Sequence, residues 1–275
     1  PFSNNGDKID YHSLLQLLTM QCDSGNGVVL LGSTGESLSL TESEKRTLIN
    51  FICKLELNLK IIVSVPGVNL HQTLEWLDFC NNMQIDGYLI TTPIYTKPGI
   101  IGQTLWFEKL LEKVRVPAML YNIPSRAGTS LHPEVVHNLM NHEKFWAIKD
   151  SSGTIETLVK YKSIAPNIEV FCGDDAMIPD AVTVGAAGLV SVASNLWPHI
   201  TRKYVKQCLE NKKLSVNIWQ KACNALCAAS NPIPVKALLY EIGLIKHKTV
   251  RLPLNTRDLP SINALKQINE IILKL

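Results

Sequence analysis

The chain lacks any run approaching the roughly 18 uninterrupted apolar residues of a membrane span, and Pro1 to Asp10 is polar rather than signal-like. No membrane partner is expected, and a cytoplasmic location is. Charge of one sign is also scarce. The formal net charge of +3 is spread along the sequence, with no basic run longer than Asn211-Lys212-Lys213 or Lys246-His247-Lys248. These short runs are the pattern of solvated helix ends and give no footprint for nucleic acid. There is no phosphate loop and no dinucleotide fingerprint. The histidines are scattered without HxxxH spacing. Cys223 and Cys227, four apart on an expected helix, have no nearby His or acid to complete a site, so no metal is expected. An odd count of 7 cysteines without framework spacing excludes a disulfide scaffold and leaves buried, reduced thiols as the expectation.

What is present is a strong alternation. With 275 residues, 46% of them hydrophobic and no linker-like shift in composition, the chain can bury one large core. Apolar runs of strand length recur about every 25 to 30 residues, separated by amphipathic stretches of helix length. The runs are 27–31, 61–65, 87–91, 118–121, 145–149, 169–172 and 189–192. Helices are expected near 11–24, 41–55, 69–82, 102–113, 132–141, 155–164 and 175–183, then through 200–210, 216–229, 235–242 and 262–275. Thr41-Glu42-Ser43-Glu44 has capping-box form, and Pro133 suits a first helical turn. The pattern predicts an α/β fold, an eight-stranded parallel β/α (TIM) barrel with an additional C-terminal helical segment. Residues 1–199 would form the barrel, and 200–275 its final helix and the added segment. Only the stub Pro1-Phe2 precedes the first helix, so most of the first strand is expected to lie upstream of residue 1.

The residues at the expected carboxyl ends of these strands carry the chemistry, since barrel enzymes work there. Lys149 ends the run Phe145-Trp146-Ala147-Ile148. A primary amine carried from a buried strand into a barrel mouth is suited to forming a Schiff base with a carbonyl substrate. That chemistry needs a neutral amine, and a lysine at the ordinary pKa of about 10.4 is neutral only about once in 2,500 at pH 7, so apolar surroundings are required. Tyr121 ends a second run and leads into Asn122-Ile123-Pro124-Ser125-Arg126. Leu30-Leu31 opens into the hydroxyl-rich Gly32-Ser33-Thr34-Gly35-Glu36, and Tyr95 follows Thr91-Thr92-Pro93.

In order along the chain, Gly32-Ser33-Thr34-Gly35-Glu36-Ser37, Thr92-Pro93-Ile94-Tyr95, Tyr121 to Arg126, Ile148-Lys149-Asp150-Ser151-Ser152-Gly153, Gly173-Asp174-Asp175, Asn231-Pro232-Ile233-Pro234-Val235-Lys236 and Arg251-Leu252-Pro253 resemble the dihydrodipicolinate synthases. These belong to the pyruvate-dependent class I aldolases, which also include the sialate lyases. The resemblance implies condensation of pyruvate with L-aspartate 4-semialdehyde in lysine and diaminopimelate biosynthesis. Lys149 would form the imine, with no cofactor, because the imine nitrogen is itself the electron sink. Tyr121 would move protons, in a hydroxyl relay with Ser33 and with a Tyr95 that reaches into a neighbouring subunit. Thr34 and its loop would hold the pyruvate carboxylate, and Arg126 the carboxylate of the semialdehyde. Gly173 and the carbonyl of Val190 would line the pocket beside the lysine. Asp174 and Asp175 would serve as helix N-terminal charges. The resemblance also implies a homotetramer built as a dimer of tight dimers.

Two positions depart from the family pattern. Ser33 replaces the first threonine of the loop, keeping the hydroxyl but losing a rotamer-restricting methyl; sialate lyases also carry serine there. At the positions where lysine-inhibited members bind their effector, this chain has Glu42, Lys45, Thr73 and Ile94, and only Ser37 and Asn69 fit. Insensitivity to L-lysine is therefore expected. The alternatives are another pyruvate aldolase, such as an N-acetylneuraminate lyase, and a barrel that binds without catalysing. Arg126 discriminates against the first, and the retention of Lys149, Tyr121 and the hydroxyl loop against the second.

Overall fold

The structure is a computed structural model and describes residues 1–212 and 215–274. Seven strands form one parallel sheet in sequential order: β1 (Val28–Leu30), β2 (Ile61–Val65), β3 (Gly87–Thr91), β4 (Ala118–Asn122), β5 (Phe145–Asp150), β6 (Glu169–Cys172) and β7 (Gly188–Leu189). Helices α1 (Tyr11–Asp23), α2 (Glu42–Cys53), α3 (Leu70–Cys80) and α4 (Ile100–Lys113) follow the chain through β4. A short α5 (Pro124–Ala127), α6 (Pro133–Leu139), α7 (Ile155–Ile164) and α8 (Ile178–Thr183) come next. Then α9 (Pro198–Leu209), α10 (Val216–Leu226), α11 (Ile233–Glu241) and α12 (Asn263–Ile272) complete the set.

All seven expected strands form, β2, β3 and β6 with the expected ends and the other four with shifted ones. Both faces of a parallel sheet are covered, which is why β3 and β4 are buried at every position and read as continuous apolar runs. The outer face packs Val63, Ile90, Leu120 and Ile148 against the helices. The inner face carries a separate cluster of Leu89, Met119, Tyr121 and Ala147 with Val29, Ile62 and Phe171. The capping box of α2 is present, with Thr41 and Glu44 each bonded to the other's backbone, and Pro133 opens α6.

The seven strands expected within the chain are present, and the eighth, expected mostly upstream of residue 1, is not among them. Among the described residues there are seven strands, and β1 and β7 are the edges of the sheet. The stub Pro1-Phe2 does not run alongside them: Phe2 makes one antiparallel bridge to Ile9 instead. Two smaller corrections follow. Residues 175–183 divide into a 3-10 turn, Asp175–Met177, and α8, because Pro179 can donate no backbone hydrogen bond and suits a helix's first turn. α5 was not expected. Lys213 of the basic run and Leu275 of the last helix lie outside the described residues.

Helix α11 matters most for the site. Seven consecutive residues, Ile233 to Leu239, are buried, including Lys236. A helix apolar all round is an interior helix, and this one brings the C-terminal part of the chain beneath the loop that follows β1.

Candidate active site

The register of β4 on β5 sets Tyr121 beside Lys149 and Asn122 beside Asp150. Side chains alternate across a strand, so the first pair faces the interior and the second faces the helices. Inside, Nζ of Lys149 lies 4.2 Å from the centroid of the Tyr121 ring. Outside, the buried Asn122 Nδ2 donates to Asp150 Oδ1 at 2.6 Å, Ser152 Oγ donates to Asp150 Oδ2 at 2.7 Å, and the Leu131 N–H donates to Asn122 Oδ1 at 2.8 Å. Burial pushes the Asp150 carboxyl above its ordinary range, against the pull of these hydrogen bonds. The tyrosine and the lysine are thus fixed by strands joined both by backbone and by side chain.

Gly173 begins the loop after β6. A Cβ there would meet Ser151 Oγ at 2.0 Å, Lys149 Cε at 2.9 Å and the Asp150 carbonyl oxygen at 3.0 Å. Only glycine lets the lysine stem pass so close to this backbone.

The loop after β1 is bent by two residues in the left-handed region, Leu31 (φ 58°) and Glu36 (φ 52°), a conformation uncommon for residues with a side chain. Between them, Thr34 Oγ1 accepts a hydrogen bond from Asn231 Nδ2 at 2.7 Å. Ser33, Thr34, Tyr121, Lys149 and Val190 all line one cavity of about 680 Å³. This is ample for a small keto acid.

Three predicted residues, Gly173, Arg126 and Tyr95, stand apart from that cavity lining. Arg126 is exposed on α5, with Nη2 donating to the carbonyl oxygen of Asn231 at 3.4 Å. Tyr95 is 89% exposed at a left-handed φ of 67°, its N–H held by the Ala127 carbonyl at 2.9 Å.

A model of the Dihydrodipicolinate synthetase family matches residues 1–271. The chain belongs to that family. It is 70% identical over 273 residues to the 4-hydroxy-tetrahydrodipicolinate synthase of Wolbachia pipientis subsp. Culex pipiens (strain wPip), which covers 99% of this chain and 93% of the relative. It is 48% identical over 258 residues to the enzyme of the same name from Chlamydia pneumoniae, covering 94% and 88%. Among solved structures, dihydrodipicolinate synthase from Thermotoga maritima matches with a TM-score of 0.93 at 25% identity, over 100% of this chain and 96% of that one.

In this member of the Dihydrodipicolinate synthetase family, several contacts escape a reading of the sequence. Asn231 sits 197 residues from the Thr34 it touches; its only signal is membership of the Asn231-to-Lys236 motif. Asp175, expected as a helix-end charge, is half-buried and turned to a neighbouring loop. Its carboxylate accepts from Ser191 Oγ and from the N–H groups of Val192 (2.8 Å) and Ala193 (3.3 Å), which pins the turn after Val190. Burial pushes its pKa up. Cys227 is exposed, contrary to the expectation of buried thiols, although all seven cysteines are free. At the positions where the family's effector site would lie, Glu42 pairs with Arg46, and Thr73 Oγ1 donates to the Asn69 carbonyl oxygen at 2.8 Å.

Proposed function

We infer that this protein is a lyase, a 4-hydroxy-tetrahydrodipicolinate synthase that condenses pyruvate with L-aspartate 4-semialdehyde in lysine and diaminopimelate biosynthesis. The observation that carries the reading is the Lys149–Tyr121 pair, a primary amine 4.2 Å from a tyrosine ring in a cavity with room for a keto acid, in a chain 70% identical to an enzyme of that name.

In this reading Nζ of Lys149 attacks the keto carbon of pyruvate, and water leaves as the imine forms. The methyl group then loses a proton, its electron pair flowing to the imine nitrogen, and the resulting enamine carbon attacks the aldehyde carbon. The aldehyde oxygen takes up a proton as it becomes a hydroxyl, and the amino group of the former semialdehyde then attacks the imine carbon, closing the ring as the Lys149 amine leaves. Tyr121 is the group beside the lysine that accepts and donates these protons, and a lone tyrosine with an ordinary pKa near 10 does this best when a relay passes its proton onward. Ser33 supplies one hydroxyl of that relay, and Tyr95 of the partner subunit the other. The exposure of Tyr95 in a single chain supports that assignment. Thr34 and the N–H groups of its loop bind the pyruvate carboxylate, Arg126 binds the carboxylate of the semialdehyde at the mouth, and Gly173 and Val190 wall the pocket. The imine is the electron sink, so the reaction needs no cofactor. The assembly is a homotetramer made of two tight dimers, located in the cytoplasm, and sub-millimolar L-lysine leaves its rate unchanged or nearly so.

The test is pyruvate consumption with L-aspartate 4-semialdehyde and N-acetylmannosamine offered separately. Turnover with the semialdehyde alone is expected. Turnover with the amino sugar alone would replace the reading with a sialate lyase.

A further inference from the structure

Three motifs widely separated in sequence meet at one buried cluster of charge. Glu36 closes the hydroxyl loop, Lys236 stands on α11, and Arg251 lies in the segment beyond it. Glu36 and Lys236 are 5% and 6% exposed and form an ion pair. The backbone N–H of Arg251 donates to Glu36 Oε1 at 3.1 Å. Lys236 Nζ also donates to the Thr249 carbonyl oxygen at 2.9 Å and lies 4.1 Å from the centroid of the Phe2 ring. The Arg251 guanidinium extends the cluster to α2, gripping Glu44 with two bonds of 2.8 and 2.6 Å. Burial drives the Lys236 ammonium toward its neutral form and Glu36 opposes this.

A buried ion pair is a poor source of net stability, because desolvation offsets most of the Coulomb attraction. It does fix geometry. Here it acts on a loop that needs fixing, since two side-chain-bearing residues, Leu31 and Glu36, are held at positive φ, a state that persists only when the surroundings dictate it. Helix α11 and its approach hold the loop twice, through Asn231 at Thr34 and through Lys236 at Glu36.

We propose that Glu36 and Lys236 are positioning residues for keto-acid binding: their pairing sets the spacing between the hydroxyl loop and α11, so that Asn231 aims the Thr34 hydroxyl at the substrate carboxylate. The proposal rests on the reading of this cavity as a pyruvate site. It explains why motifs near residues 231 and 251 accompany chemistry performed at residues 121 and 149.

Two sets of variants test it on the full chain. Glu36→Gln and Lys236→Met each leave one charge buried without its partner and lower the melting temperature; the double variant removes both charges and recovers most of that loss. Positioning predicts that the double variant still shows a pyruvate KM raised about 10-fold, the effect of losing one charge-assisted contact, with kcat within about 3-fold of wild type. A KM that returns to the wild-type value along with the melting temperature would make the pair structural only. Should these variants not fold, Glu36→Asp keeps the charge but withdraws the carboxylate by one methylene. A pyruvate KM raised severalfold, with the KM for the aldehyde unchanged, supports the proposal, and an unchanged pyruvate KM overturns it. Borohydride trapping of pyruvate on the wild-type protein separates the two levels of inference. Trapping together with an indifferent Glu36→Asp removes this proposal alone, whereas no trapping removes the pyruvate reading and the proposal with it.

Discussion

The two sides of the cavity are built by different means. On one side, Lys149 and Tyr121 project from neighbouring strands whose register sets them opposite each other, with Asn122 and Asp150 bonded behind them. On the other side, Ser33 and Thr34 ride on a loop whose shape depends on Asn231, Lys236 and Arg251, all supplied from the last part of the chain. Lys149 and Tyr121, assigned the bond-making steps, sit on the rigid sheet, whereas Thr34, assigned the carboxylate, sits on a loop tuned from afar that also carries the relay hydroxyl of Ser33. Changes on the strand side should therefore act on kcat, and changes to Thr34 and the residues that support it on the KM for pyruvate.

The largest effect expected belongs to Tyr121→Phe, which removes only the hydroxyl. Loss of general acid–base catalysis should lower kcat by about 100- to 10,000-fold while the melting temperature stays close to wild type. A kcat within a few-fold of wild type would show that another group carries the protons. Next comes Gly173→Ala, whose Cβ would stand 2.9 Å from Lys149 Cε. Displacing a reacting group by a fraction of an ångström to an ångström lowers kcat by up to about 100-fold, and steady-state kinetics at saturating substrates would read it. On the loop side, Asn231→Ala deletes the bond to Thr34. One hydrogen bond of about 1 kcal/mol corresponds to roughly a 5-fold rise in the pyruvate KM, with kcat little changed. If Asn231→Ala lowered kcat and left KM alone, the division between the two sides would collapse.

How much of this was legible in the sequence follows the same division. The strands announce themselves as apolar runs, so Lys149 and Tyr121 can be placed at adjacent strand ends from spacing alone, and the capping box marks α2 in the sequence itself. The loop side is different. Nothing local in Glu36 says that its partner is Lys236, and no periodicity ties Asn231 to Thr34; both are contacts across some 200 residues. Asp175 misled for a related reason. An acid at the start of a helical stretch usually compensates the helix's own N–H groups, whereas this one is turned to a neighbouring loop. The eighth strand was expected from fold completeness and mostly upstream of residue 1, so it had no run of its own in the sequence; within the chain Phe2 bridges to Ile9.

The smallest effect concerns the outer end of the charge cluster. The hydrogen bonds from Arg251 and then Thr41 hold the Glu44 carboxyl at about 2, below its ordinary value of 4.5. A depressed folded-state pKa contributes stability that is present above the unfolded value and lost as the pH falls through the folded one. Wild type should therefore lose its advantage over Glu44→Gln between about pH 4.5 and 2. Parallel melting curves for the two proteins across that range would contradict the assignment.

The most direct test of the account is reduction by borohydride in the presence of pyruvate, followed by peptide mapping. The account predicts a single stable adduct, one reduced pyruvyl group on Lys149, which blocks turnover and is absent without pyruvate. No adduct, or an adduct confined to another lysine such as Lys236, would contradict it.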